Sequence, residues 1–141
     1  MKHLGNKMEY VEERSRDLMR AYQEYIGKCK HIVVPDVCKA IVEMPSRRFW
    51  VSEIRATAVV SSIMKGDTKK LKTMRPLKRE MYEEIYRRVM LLRKELPDTS
   101  LSELCLMVIE QPAPKFYLTA GSAMMYICKT KRKWREQRLQ R

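Results

Sequence analysis

The sequence predicts an all-α protein made of two tandem three-helix modules, about six helices in all. Three observations lead there. Apolar residues recur every three or four positions over long stretches, which is the helical period. Only 4 Gly and 6 Pro punctuate 141 residues, too few for a loop-rich β protein. Finally, the chain matches itself without a gap at an offset of 67 residues. The stretch from Val37 pairs with the stretch from Leu104, with identities at Cys38/Cys105, Glu43/Glu110, Pro45/Pro112, Phe49/Phe116 and Ala56/Ala123. The same offset pairs Leu18 with Ile85 and Tyr22 with Val89, one helical face in each copy.

The first helix is expected from about Lys7 to Ile26, with Gly27 as its C-terminal cap. Ile32-Val33-Val34 reads as an entry loop, because its counterpart in the second copy is helical. Pro35 and Asp36 open the second helix, whose apolar face is Val37, Cys38, Ile41 and Val42; Pro45 ends it. Ser52 is a good N-cap for the third helix, which carries Ala56, Val59, Val60 and Ile63 and stops at Gly66. In the second copy the first helix spans Pro76 to about Leu96, with Met81, Ile85, Val89 and Leu92 in one stripe. Ser100 and Glu103 form a capping box ahead of Leu104, Cys105, Val108 and Ile109. Thr119 caps the last helix, which carries Ala123, Tyr126 and Ile127. This divides the chain into a module at 1–66, a basic linker at 67–75, a module at 76–130 and a basic tail at 131–141.

Charge follows the same division. The net charge is +13, from 30 Lys and Arg against 17 Asp and Glu. Residues 65–79 hold 7 basic and 1 acidic groups, a net of +6, and residues 129–141 hold the same. Each packet follows the third helix of a module, so the expected partner is a polyanion, with duplex DNA preferred over RNA. Lys65, Lys69, Lys70, Lys72 and Arg75 are the phosphate-gripping candidates after the first module. Lys129, Lys131, Arg132, Lys133 and Arg135 are those after the second, and Arg47, Arg48 and Lys115 stand in the turns before the third helices.

No chemistry-bearing motif is present. There is no P-loop, GxGxxG, GxSxG or HExxH, and the two histidines, His3 and His31, lie outside the matched positions. Glu43 and Glu110 are expected to bond a neighbouring loop or an Arg. Cys29, Cys38, Cys105 and Cys128 lack CxxC spacing, so they read as buried thiols and not as ligands or disulfides. Neither catalysis, a metal nor a cofactor is expected. No apolar run suits a membrane span and the start of the sequence lacks an apolar signal core, which points to a cytoplasmic protein.

Helix, helix, turn, capped helix and basic segment, over about Val37–Met64 and Leu104–Thr130, resemble the helix-turn-helix class of DNA-binding modules. The resemblance implies that the last helix lies in the major groove, which makes Ser52, Glu53 and Arg55 base-facing candidates. The second copy carries Ala120 and Ser122 at the matching places, and the turn from Met44 to Val51 is longer than that class uses. Phe49 and Phe116 read as core anchors. Trp50 and Tyr117 read either as core or as base-stacking groups. The alternative to nucleic-acid binding is an interaction protein that scaffolds an acidic protein partner.

Overall fold

The computed structural model describes the backbone of residues 2–140 and the side chains of residues 10–140. Among the described residues the chain forms seven α-helices and no strand. They are α1 (Lys2–Ile26), α2 (Val34–Ile41), α3 (Glu53–Met64), α4 (Lys69–Thr73), α5 (Pro76–Glu95), α6 (Leu101–Ile109) and α7 (Ala120–Leu139).

The helix ends follow local chemistry. The hydroxyls of Ser52, Ser100 and Thr119 accept the backbone N–H groups of Arg55, Glu103 and Ser122, relieving donors that have no partner inside the helix. Gly66 takes φ +82°, a left-handed conformation that costs a side-chain-bearing residue about 1 kcal/mol or more. Its N–H bonds the Ile63 carbonyl and that of Asp67 bonds Ser62, so the last turn of α3 closes on itself. Ile32 and Val33 lie in a loop, as expected, but Val34 is already the first residue of α2, one residue ahead of Pro35.

Two sequence expectations change. The expected six helices are seven, because Lys69–Thr73 of the basic linker forms the short helix α4, while α7 continues into the basic tail. More consequentially, the compact units do not follow the sequential modules at 1–66 and 76–130. One unit combines Met1–Ser46 with Pro114–Arg141, and the other is Arg47–Ala113. Each unit therefore takes its third helix from the other half of the sequence. In the first unit α7 packs on α1 and α2; in the second α3 packs on α5 and α6. The consecutive helix-turn-helix pairs expected over Val37–Met64 and Leu104–Thr130 are split between units.

The core of the first unit is Leu18, Tyr22, Cys38, Ile41, Phe116, Ala123 and Ile127, all buried. That of the second is Phe49, Ala56, Val60, Tyr82, Ile85, Val89, Leu104, Cys105 and Val108, also buried. Each large apolar side chain contributes about 1.5–3 kcal/mol by leaving water. Ala56 and Ala123 let α3 and α7 approach their neighbours closely.

The extended connections ahead of α3 and α7 direct this arrangement. The Phe49 N–H donates to the Ile109 carbonyl at 2.9 Å, which ties the approach to α3 onto the end of α6. The Phe116 N–H donates to the Val42 carbonyl at 3.0 Å, which ties the approach to α7 onto the end of α2. Arg20 reaches the Pro45 carbonyl and Arg88 the Pro112 carbonyl, satisfying acceptors at the bends. Asp17, buried in the first unit, binds Arg20 at 2.7 Å and accepts the Ser46 hydroxyl at 3.2 Å.

The cysteines sort by depth. Cys38 and Cys105 are buried, and burial pushes both thiols above their ordinary pKa, with a nearby thiol, Cys128, adding to the effect on Cys38. Contrary to the expectation that all four are buried, Cys128 is exposed and Cys29 half-buried, because both lie on outward parts of the first unit. A maleimide reagent at neutral pH is expected to label Cys128 first and Cys29 more slowly. Cys38 and Cys105 should react only after denaturation, as mass spectrometry of the labelled native chain will read.

Candidate nucleic-acid interface

In the second unit the cations gather where α3 ends and α5 begins. Lys65 caps α3, α4 carries Lys69, Lys70 and Lys72, and Arg75 precedes α5. All five are exposed, and among the described residues none makes a salt bridge. Asp67 is the one acidic residue inside this stretch, and it accepts the Lys69 backbone N–H. With no carboxylate holding their ammonium groups, these side chains keep their full attraction for an external anion.

In the first unit the cations lie along the second half of α7. The helix has 20 residues, so at 1.5 Å per residue it is about 30 Å long. Lys129, Arg132 and Arg135 are exposed on it. Lys131 instead turns toward the body, donating to the Tyr22 hydroxyl at 2.7 Å with its ammonium over the ring. Lys133 is exposed and pairs with Glu12 at 3.3 Å, a surface pair worth under about 1 kcal/mol that a phosphate can displace.

The cations expected in the turns have structural work. Arg48 donates from Nε to the Phe49 carbonyl and from Nη2 to the Val51 carbonyl, and its guanidinium sits over Trp50 at 5.4 Å. The Lys115 ammonium lies 5.6 Å from the centre of the Tyr117 ring. Arg47 is exposed at the start of the same connection. Ser52 is the cap of α3. Arg55 is exposed, and its positive charge partly offsets the upward pKa shift that burial imposes on the Tyr82 hydroxyl. Glu53 accepts the Ser102 hydroxyl. Two of the three residues at the start of α3 are thus engaged within their own unit: Ser52 caps the helix and Glu53 ties it to α6, while the Arg55 side chain is exposed. Phe49 and Phe116 are buried, in keeping with core anchors, while Trp50 and Tyr117 are half-buried.

Sequence reasoning assigns Ile32, Tyr22 and Arg138 no role in a site. They meet in a groove of about 760 Å³ beside α1 and α7, also lined by Trp134. The available signal was a lone Trp within a basic helix and two β-branched residues in a loop. Distance in sequence hid their convergence.

Among the described residues no helix is long and apolar enough to cross a membrane, and no cluster of metal-binding side chains occurs. No protein-family model matches the chain, and neither a curated protein nor a solved structure is detectably similar to it.

Proposed function

We propose that the protein binds nucleic acid, with duplex DNA as the preferred form, through two basic helical surfaces and without catalysis. One surface is Lys65, Lys69, Lys70, Lys72 and Arg75; the other is Lys129, Arg132, Lys133 and Arg135. The observation that carries this reading is the exposed, carboxylate-poor cation cluster around α4. A chain with 17 acidic residues has ample means to neutralise those cations, yet no salt bridge reaches them among the described residues. Contacts of this kind reach phosphates and supply affinity, while sequence discrimination needs groups at base edges. The reading rests on these surfaces and not on a helix-turn-helix.

We further read the two units as copies of one three-helix module with exchanged third helices. Support comes from matched details at the 67-residue offset. The Phe49 and Phe116 amides find Ile109 and Val42, themselves matched positions. Ser52 and Thr119 cap third helices, and Arg48 and Lys115 lie over Trp50 and Tyr117.

Anisotropy of a labelled mixed-sequence duplex, titrated at several salt concentrations, tests the binding. The logarithm of the affinity should fall linearly with the logarithm of salt, by about 0.9 for each phosphate contacted. Converting Lys69, Lys70 and Lys72 together to Glu should weaken all duplexes alike and flatten that slope. Absence of binding at low salt, or affinity indifferent to salt, overturns the proposal.

A further inference from the structure

The groove beside α1 and α7 in the first unit combines two properties that seldom coincide on a surface. Its apolar lining includes Ile26, Ile32 and Trp134, and its charged lining is Lys131, Arg135 and Arg138, with no carboxylate among the lining residues. Ile32 is 52% exposed and Trp134 37%, and the adjoining Val33 is 52% exposed as well. Large apolar side chains left in water beside one another mark a binding surface more often than an accident of packing. At about 760 Å³ the groove is large enough for several side chains of a partner.

From this we infer that the groove docks an acidic amphipathic segment of another protein, its apolar side chains against Ile26, Ile32 and Trp134 and its carboxylates on Arg135 and Arg138. Charge complementarity selects the sign of the occupant. The apolar lining selects its kind. A duplex presents phosphates and sugars outward and has nothing to fill an aliphatic floor. Stacked single-strand bases need a series of aromatic faces, and here Tyr22 is buried beneath Lys131, which leaves Trp134 alone. A helix that presents apolar residues at i, i+3, i+4 and i+7, with carboxylates along its margins, satisfies both halves of the lining. Arg135 is shared with the proposed phosphate surface, but Ile32, Trp134 and Arg138 take no part in it, so variants at Ile32 and Arg138 separate this inference from nucleic-acid binding.

The chain holds two tryptophans, so replacing Trp50 with Phe leaves Trp134 as the sole indole reporter in the full-length protein. The probe is a synthetic peptide with Leu at i, i+3, i+4 and i+7 and Glu elsewhere. Its control has the same composition in scrambled order. The ordered peptide should bind saturably with a blue shift of Trp134 emission, and the scrambled one at least about tenfold more weakly. Ile32→Asp and Arg138→Glu should each lower affinity about tenfold, a loss of ~1.4 kcal/mol. Both variants should keep their salt-dependent duplex binding. Equal binding of the scrambled peptide, or unchanged affinity in both variants, overturns the proposal. So does a shift produced by single-stranded DNA or by anionic vesicles when the ordered peptide produces none.

Discussion

Cutting the chain between Asp67 and Thr68, through a protease site inserted there, is expected to leave the two pieces bound as one particle. Both units are assembled from both pieces. The amino-terminal piece supplies α1 and α2 to the first unit and α3 to the second; the other supplies α7 to the first and α5 and α6 to the second. Separation would strip α7 from Leu18, Cys38 and Ile41 and would strip α3 from Ile85, Val89 and Leu104, exposing two cores together. With about 1.5–3 kcal/mol per buried aliphatic side chain, that loss far exceeds the entropy released by parting two chains. Size-exclusion chromatography of the cleaved protein should give one peak near 16.9 kDa, splitting only in denaturant. Two independent species of roughly half that mass would mean that each half closes on itself in sequence order, contrary to the structure.

Phe49→Ala should destabilise the protein by about 3–5 kcal/mol, the usual cost of emptying a buried aromatic site. Against a total stability of roughly 5–15 kcal/mol this is a large fraction. Where the damage falls is more informative than its size. Phe49 is buried in the second unit, its amide is tied to Ile109, and Arg88 of α5 lies 5.0 Å from the centre of its ring. Amide hydrogen exchange should therefore accelerate first in α5 and α6, although Phe49 lies in the connection that follows α2 in sequence. Phe116→Ala should act first on α1 and α2, through the lost anchor at Val42. Faster exchange confined to α1 and α2 in the Phe49 variant would contradict the exchanged packing.

Much of the fold was legible residue by residue. The stripe of Met81, Ile85 and Val89 places one face of α5, and Pro76 opens that helix. Ser52, Ser100 and Thr119 start helices because a hydroxyl one residue ahead of a helix accepts an otherwise orphaned N–H. The site was legible in part. Lys69, Lys70 and Lys72 are exposed as a dense basic run suggests. Arg48 and Lys131 were indistinguishable from them as letters, yet each meets an aromatic partner. For Lys131 that partner, Tyr22, is remote in sequence, and a composition-based reading has no access to it.

The sequence by itself determined the helices, their caps and the charge packets, because these depend on groups close to one another along the chain, within about four residues for the helices and caps.

 What it left open was which helices share a core. Ala56 and Val60 on α3 match Ala123 and Ile127 on α7, so either helix suits either pair of partners by apolar pattern alone. Tertiary structure decided between them. The extended connections past Pro45 and Pro112 carry α3 to α6 and α7 to α2, where the Phe49 and Phe116 amides find their carbonyls. Periodicity records which face of a helix is buried, because that is a local property. The identity of what buries it depends on where the chain can reach, and that is settled only when the connections have taken their shape.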